Sequence, residues 1–177
     1  MMAGAPLRSD RLTLQRFAGD CADDDAFILK LLNEPSFLRH IGDRGVRDLA
    51  AARQYVLMGP VASYDRNGFG LNKIVLSATG ERLGICGLVK RESLPDPDLG
   101  YALLPGFFGC GYASEAATAV LHDARETLGI KRILAITDPA NTPSIHLLQK
   151  LGFVFENVVR LPPDDELLQL FASEPTR

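Results

Sequence analysis

Apolar and polar positions follow two different periods along this chain, and each period predicts a different element. Apolar and polar side chains alternate over residues 11–17, which is typical of a half-buried strand. Apolar residues spaced three and four apart over 26–32 and over 48–58 predict two helices. The breaker-rich stretches NEPSF and IGDRG lie between these helices. The first third of the chain therefore predicts one strand and two helices.

The middle of the chain predicts a hairpin and a further strand. Residues 73–78 and 82–90 are strand-like runs on either side of a turn at Thr79 and Gly80. A loop punctuated by prolines, ESLPDPD, leads to a short strand, LGYALLP, that ends at Pro105. Three strands of one sheet are expected here.

The last third alternates helices with strands. Helices are predicted over 112–128 and 141–151, each stopped by a glycine, and the apolar run 132–137 between them predicts a strand covered on both faces. Two final strands are predicted over 153–159 and 166–172. The chain is thus expected to be an α/β (α+β) protein with a mixed central sheet of six to seven strands and about four flanking helices. A single domain, 1–177, fits the length.

Composition narrows the functional classes. The 177 residues are 46% hydrophobic and 23% charged, with a net charge of −3, which argues against a nucleic-acid-binding protein. No run is long and apolar enough for a membrane span, and the first ten residues lack the apolar core of a signal peptide. The three cysteines lie far apart, so no metal site is predicted. We expect a cytoplasmic protein that binds neither membrane nor nucleic acid.

A glycine-rich stretch, PGFFGCGYASEA, lies between a predicted strand end and a predicted helix start. Gly106, Gly109 and Gly111 fall within six residues. The amides of a first helical turn have no intrahelical partners, and glycines before them let an anion approach. A pyrophosphate would suit the segment from Phe108 to Ser114. We expect Glu115, in that first turn, to point away from the anion.

Three kinds of phosphate loop compete for this stretch. A Walker A loop requires Gly-Lys-Ser/Thr, whereas Tyr112 and Ala113 follow Gly111. A dinucleotide fingerprint needs a third glycine where Ser114 stands, and it normally follows the first strand of its unit. The remaining kind is a loop for the pyrophosphate of coenzyme A.

Two motifs carry a resemblance to a known family. The segment DLGYALLPGFFGCGYASEA is similar to motif A of the GNAT N-acetyltransferase superfamily, in the branch of the ribosomal-protein N-terminal (alanine) acetyltransferases. The segment NTPSIHLLQKLGF is similar to that branch's Asn-x-x-Ser-x-x-x-x-x-Lys-x-Gly-Phe, and LLNEPSFLRHIGDRGVRDLAAARQYV resembles its two N-terminal helices. The resemblance covers most of the chain and implies a GNAT fold.

The resemblance also implies a function. An acetyl group would pass from acetyl-CoA, the co-substrate, to a primary amine by direct attack within a ternary complex. The acceptor would be a protein N-terminus or a small-molecule amine. The residues that the resemblance assigns to coenzyme binding lie on the strand before the loop, in the loop, and at the start of the next helix: Ala102, Leu103, Leu104, Phe108, Gly109, Cys110, Gly111, Tyr112, Ala113, Ser114 and Asn141.

Two residues are candidates for proton transfer. Asp98, just before Leu-Gly-Tyr, would take the amine proton directly or through water; its alternative is a solvated carboxylate in the preceding loop. Ser144 would hydrogen-bond or protonate the departing thiolate; its alternative is an ordinary first-turn serine. Leu148 stands where many superfamily members carry the tyrosine that protonates the thiolate.

Other parts of the site are less specified. An acceptor pocket is expected beside the first two helices, lined by Phe37, Tyr64 and Phe69. Histidines 40, 122 and 146 are expected at the surface. The coenzyme's 3′-phosphate needs a basic neighbour, and the sequence leaves four candidates unranked: Lys90, Arg91, Lys131 and Lys150. The oligomeric state, monomer or homodimer, stays open.

Two alternatives remain beside the transferase. A GNAT-like module would bind acyl-CoA without catalysis, which Leu148 favours. A nucleotide-binding oxidoreductase domain would need an acid at the end of the next strand, where Asp138 stands. Binding of acetyl-CoA rather than NAD separates the second from the rest.

Overall fold

The computed structural model describes residues 4–174, and the first and last three residues of the predicted domain lie outside this part. Eight strands form one sheet. The strands are β1 (Leu7–Arg8), β2 (Leu12–Gln15), β3 (Leu71–Leu76), β4 (Arg82–Val89), β5 (Asp98–Leu103), β6 (Ile133–Thr137), β7 (Val154–Leu161) and β8 (Glu166–Ser173). The helices are α1 (Ala22–Leu32), α2 (Pro35–His40), α3 (Leu49–Val56), α4 (Ala62–Asn67), α5 (Tyr112–Glu126) and α6 (Thr142–Lys150).

The strands are ordered β1-β2-β3-β4-β5-β6-β8-β7 across the sheet. All neighbours are antiparallel except β5 and β6, which run parallel. The predicted mixed sheet between helical layers is confirmed, with eight strands in place of six to seven. The additional strand is the two-residue β1, which is too short to give a periodic pattern.

The parallel pair separates almost as soon as it forms. Asp98 and Leu134 are the only residues of β5 and β6 in register, and the Leu134 amide donates to the Pro97 carbonyl over 2.9 Å. Above this point no ladder joins the two strands within residues 4–174. The gap between β5 and β6, which we call the slot, lies in the middle of the sheet.

Helices cover the two faces of the sheet. On one face, α5 packs through small and aliphatic side chains such as Ala117 and Val120, and Leu148 of α6 joins the same core. On the other face, α1, α2 and α3 pack around Ile28 and Phe37 against Ile85 of β4. Burial of such side chains supplies each layer with its stabilisation, about 1.5–3 kcal/mol for each large residue. The slot thus opens between two firmly packed layers.

The helical count exceeds the predicted four because two pieces were missed. The stretch NEPSF, predicted as a breaker, begins α2, with Pro35 in the first turn where its missing N–H is harmless. The helix predicted over 48–58 continues to Asn67 through a wider π-helical segment, Leu57–Val61. Pro60 in that segment has no amide for Val56, which explains why the regular α-helical ladder is interrupted.

A candidate active site in the slot

The slot opens into a cavity of about 490 Å³. Its walls come from β4, β5 and β6, from α2 and the α3–α4 helical stretch, and from the turn between β7 and β8. Four of the residues predicted for catalysis or coenzyme binding line it: Asp98, Ala102, Asn141 and Ser144. The topology therefore brings together residues that lie more than forty positions apart in the chain.

The glycine stretch forms the approach to α5 at the upper end of β5. Gly109 and Gly111 have φ of +73° and +81°, in the left-handed region that side chains disfavour. Gly111 is the N-cap of α5, and no side chain in residues 4–174 caps that helix. Phe108, Gly109 and Cys110 are exposed. The loop is therefore open to solvent, and the first-turn amides at its base have no side-chain cap in the part of the chain that the structure describes.

Glu115, in the first turn of α5, is held away from the loop by the turn between β1 and β2. Its carboxylate accepts hydrogen bonds from Ser9 Oγ at 2.7 Å, the Arg11 amide at 2.8 Å and Arg11 Nε at 2.7 Å. Arg11 also donates to the Cys110 carbonyl at 3.1 Å and lies over the Tyr112 ring. This guanidinium places positive charge beside the loop, and sequence reasoning missed it.

The directions of the backbone amides along β5 distinguish the three strand residues assigned to coenzyme binding, Ala102, Leu103 and Leu104. The Leu104 amide donates to the Leu83 carbonyl over 2.8 Å, so it faces β4. Successive amides of a strand point in opposite directions, so those of Tyr101 and Leu103 face the slot. Leu103 and Leu104 pack their side chains into the two cores. Of the predicted trio, Leu103 supplies the amide that faces the slot, and Ala102 lines the cavity.

A pair of hydroxyl groups closes one side of the slot. Tyr101 Oη lies 2.7 Å from Ser144 Oγ. Asn141 is the N-cap of α6, and its Oδ1 accepts from the Ser144 amide at 3.2 Å, which fixes the first turn that carries the serine. Burial raises the pKa of Tyr101 to about 12. Tyr101 is thus a neutral hydroxyl at physiological pH, and sequence reasoning assigned it no role.

Asp98 stands at the lower end of the slot, in an ion pair. Its carboxylate is 1% exposed and accepts from Arg91 Nε at 2.9 Å. Burial raises the pKa of Asp98, while the Arg91 charge and hydrogen bond act in the opposite direction. The structure does not bring Asp98 to Ser144: Tyr101, which contacts Ser144, lies three residues higher on the strand, about 10 Å away.

His40 is the third feature that sequence reasoning missed. It was expected at the surface, but it is half-buried, lines the cavity, and has Nδ1 3.1 Å from Asp138 Oδ2. Burial alone would raise the pKa of Asp138, but the Ala140 amide and His40 outweigh it and lower that pKa. The sequence contained no signal for this pair, because its members are 98 residues apart.

The prediction of the residues that line the acceptor pocket is only partly correct. Phe37 does line the cavity. Tyr64 is buried away from it, donating to the Leu71 carbonyl and accepting from the Phe17 amide at 3.3 Å, and Phe69 lines a separate cavity of about 330 Å³. Tyr55 from α3 takes their place on the wall. The helix missed after residue 58 explains the error, because it turns Tyr64 into the core.

The four basic residues named for the 3′-phosphate differ in their contacts and in their exposure. Lys90 Nζ donates to the Leu94 and Pro95 carbonyls, and Arg91 is held by Asp98. Both lie at the lower end of β5, at the opposite end of that strand from the glycine stretch. Lys131 and Lys150 are exposed. Their role at the 3′-phosphate stays a prediction.

Residues 4–174 show neither a metal-binding cluster nor a membrane-spanning helix. No three His, Cys, Asp or Glu side chains in this part of the chain are grouped as a metal site would require. None of its helices is both long and apolar enough to cross a membrane.

Comparison with known proteins agrees with this geometry. A family model described as an acetyltransferase (GNAT) domain matches residues 11–154. A relative in Bacillus licheniformis, described as uncharacterized N-acetyltransferase p20, is 29% identical over 156 residues, which are 87% of this chain and 85% of the relative.

Solved structures share the fold over nearly the whole chain. An acetyltransferase from Agrobacterium tumefaciens has a TM-score of 0.81 at 26% identity, covering 99% of this chain and 97% of its own. A ribosomal-protein-S5-alanine acetyltransferase from Vibrio fischeri has a TM-score of 0.76 at 17% identity, covering 96% of each chain. The family model confirms the GNAT family that the sequence resembles, and the second structure shows that the fold is shared with a ribosomal-protein acetyltransferase.

Proposed function

The chain belongs to the GNAT acetyltransferase family, and from this premise we propose that it transfers an acetyl group from acetyl-CoA to a primary amine. The amine attacks the thioester directly while both substrates are bound. The observation that carries the proposal is the slot between β5 and β6, with a glycine loop at its upper end and a polar cavity beside it. This arrangement offers one path for a long coenzyme and a separate entrance for an acceptor.

The residues present fit the coenzyme. We assign the pyrophosphate to the amides of Phe108–Ser114, where left-handed glycines keep β-carbons out of the way. The Leu103 amide faces the slot and would hold the thioester carbonyl, and Asn141 would contact the coenzyme while capping α6. Acetyl-CoA itself supplies an activated acyl group and a thiolate leaving group.

The side chains of Ser144 and Tyr101 supply the leaving-group proton in this proposal. A thiolate released in the slot would meet Ser144, and Tyr101 lies 2.7 Å behind that serine. Because the pKa of Tyr101 is raised to about 12, the tyrosine remains protonated and available as a donor. The pair would thus take the role of the tyrosine that many superfamily members carry at the position of Leu148. Leu148 itself is 1% exposed and packs in the core.

The amine proton needs an acceptor on the cavity side. Asp98 remains the base that the sequence predicts, and its carboxylate lines the cavity. Arg91 Nε engages its Oδ1, so Oδ2 would be the oxygen that takes the proton. Its raised pKa is of the right sign for a base, since a carboxylate of ordinary pKa is a weak one near neutrality.

The acceptor is proposed as a protein N-terminus or a small-molecule amine. The cavity supports both, because it carries basic and acidic side chains together and opens beside the exposed Met58 on the α3–α4 stretch. We further propose that the chain acts in the cytoplasm, since its cysteines are free, as is usual in a reducing compartment.

Isothermal titration calorimetry with acetyl-CoA tests the proposal, with NAD and ATP titrated in parallel. Gly109→Val should abolish acetyl-CoA binding, because a branched side chain would fill the anion path. Gly129→Val is the matched control: Gly129 has φ of +67°, and at both glycines the space that a β-carbon would occupy has no heavy atom within 4 Å. Equal loss in both variants, or no binding by the wild type, would contradict the proposed coenzyme loop.

Turnover is followed by thiol release from acetyl-CoA with three acceptors: hexapeptides beginning with alanine or serine, and butylamine. Thiol release that depends on an amine supports transfer. Tight acetyl-CoA binding without release from any of them would favour a non-catalytic binding module, the alternative that Leu148 suggests.

A further inference from the structure

We propose that His40 is the catalytic base that removes the proton from the acceptor amine, and that Asp138 positions it; this rests on the proposed function. Three observations support it: the hydrogen bond between the two residues, the free second nitrogen of the imidazole, and the level of the pair along the slot.

The hydrogen bond fixes the imidazole. His40 Nδ1 lies 3.1 Å from Asp138 Oδ2, and the two side chains are 23% and 27% exposed. Asp138 is in turn held by the Ala140 amide, which donates to its Oδ1 over 2.9 Å. A carboxylate on Nδ1 favours the tautomer that carries its hydrogen there, which leaves Nε2 as the proton acceptor. Nε2 makes no hydrogen bond within residues 4–174.

The position of His40 and Asp138 along the slot follows from the register of the sheet. Asp98 pairs with Leu134, so counting upward along both strands places Asp138 opposite Ala102. Ala102 is next to Leu103, whose amide would hold the thioester carbonyl. Asp98 lies four residues below Ala102, about 13 Å along the strand. The amine must approach the carbonyl, and His40 lies at that level while Asp98 does not.

The two faces of the sheet then separate the two proton transfers. Ile136 packs with the cluster on the β7–β8 side, away from the face of Ile133 and Ala135, and Asp138 continues that alternation. His40 approaches from α2 on this side. Tyr101 and Ser144 lie on the opposite face, that of α5 and α6. The attacking amine and the departing thiolate would thus meet different proton carriers.

The chemical step balances with these groups. The amine nitrogen bonds to the thioester carbon, and the proton of the amine passes to His40 Nε2. The carbon–sulfur bond breaks as the carbonyl re-forms, and the thiolate takes a proton from Ser144, which takes one from Tyr101. Tyr101 lines the open cavity and regains its proton from solvent. His40 then returns its proton to solvent through the open cavity.

Other charged groups also face this part of the cavity, and they belong in any interpretation of its pH dependence. From α2 comes Arg39, which acts on Asp138, and from the following loop Arg44. The turn between β7 and β8 contributes Asp164, and the first residue of β8 contributes Glu166. Guanidinium and carboxyl groups ordinarily titrate outside the range in which histidine changes charge.

The test compares His40→Asn with His146→Asn, a substitution of an exposed histidine on α6. Using whichever of the three acceptors the wild type acetylates, we expect kcat/KM at pH 7 to fall at least ~100-fold in His40→Asn, with acetyl-CoA affinity unchanged. The acidic limb of the pH profile that belongs to the enzyme should vanish, and imidazole should restore turnover to His40→Gly. Asp138→Asn should lower kcat about tenfold and shift that limb.

Three outcomes decide between the proposals. Loss of the acidic limb and rescue by imidazole support His40 as the base. A fall of less than about threefold in His40→Asn, with the limb retained, overturns this inference and leaves the transferase intact; loss of the limb in Asp98→Asn would then identify the other base. Absence of any acetylation by the wild type overturns the proposed function and this inference together.

Discussion

At the scale of single residues, the hydroxyl of Tyr101 is the proton donor that we propose for a site with leucine at position 148. Tyr101 belongs to the motif that first indicated the family, but its period on β5 suggests only a half-buried strand residue. Its contact with Ser144 arises from the placement of α6 over the slot, which no local pattern encodes. The proposed proton donor therefore lies on a strand, β5, and not on α6.

Tyr101→Phe is expected to lower kcat about 10- to 100-fold while KM for acetyl-CoA stays within about twofold. The substitution keeps the ring in the core and removes only the hydroxyl behind Ser144, so the loss falls on leaving-group protonation. Steady-state kinetics with the accepted amine measures it. An unchanged kcat would exclude Tyr101 from proton transfer.

Tyr64→Phe is the matched substitution for a tyrosine outside the cavity. Tyr64 hydrogen-bonds the Leu71 carbonyl and the Phe17 amide, and its own pKa is raised to about 12 by burial. Its loss should lower the free energy of unfolding by about 1–2 kcal/mol and leave kcat unchanged. Urea denaturation and kinetics on the same sample separate the two tyrosines.

Sequence reasoning predicted the backbone of the glycine loop better than the side-chain pairs that line the slot. Glycines before a helix can be interpreted from the sequence, because left-handed backbone and free first-turn amides both follow from local sequence. A pair such as His40 and Asp138 has no such signal: each residue alone is ordinary, and only the sheet register brings them together.

At the scale of elements, the first turn of α6 joins structure and chemistry. Asn141 caps the helix through the Ser144 amide, Pro143 lies in the first turn, and Ser144 carries the hydroxyl that faces Tyr101. A change in the cap therefore affects both the stability of the helix and the direction of the serine.

Asn141→Ala should lower the free energy of unfolding by about 1 kcal/mol, the usual value of an N-cap, and should weaken acetyl-CoA binding. Asn141→Ser should recover most of the stability, because serine caps helices well, but not the affinity that the amide group provides. Thermal melting and calorimetry give the two quantities separately. Full recovery of affinity by serine would reduce Asn141 to a cap.

The missed elements share a physical cause. The segment α2 begins at a proline in a stretch rich in polar residues, and the π-helical segment continues through Gly59 and Pro60, so the usual breaker residues lie inside helices. Both segments are stabilised by packing against α1, α3 and the sheet rather than by their own propensity. Tertiary contacts decided these cases, and a single sequence does not contain them.

At the scale of the whole molecule, Glu115 connects the N-terminal part of the chain with the glycine loop. It joins the turn between β1 and β2 to the first turn of α5 across more than one hundred residues. Burial would raise its pKa, but hydrogen bonds from Ser9 and Arg11 outweigh this and lower the pKa from its ordinary value. The folded state therefore holds this proton less tightly than the unfolded chain.

Glu115→Gln should consequently lower stability at pH 7, by about 1 kcal/mol, and lower it less as the pH falls. The sign follows from the lowered pKa: the stabilisation is complete above the unfolded value and is lost as the native carboxylate protonates. Urea denaturation from about pH 3 to pH 7 measures the difference between wild type and variant. Glu126→Gln, at the exposed end of the same helix, should show no such trend.

The order of strands and helices was largely predictable because each long element carries its own period. The sheet order was not, since it depends on which faces meet. The register between Asp98 and Leu134 determines which residues of β5 and β6 lie at the same height in the sheet.

The separation of β5 from β6 leaves two rows of unpaired backbone groups facing each other inside the molecule. Exposed rows of this kind at the rim of a sheet invite other chains to add a strand and aggregate. Here helices and loops surround both rows, so a protein strand has no approach, while a thin, flexible ligand with amide groups of its own can enter from the end. The separation of β5 from β6, which forms the proposed binding groove, thus selects ligands by their thickness before any side chain takes part.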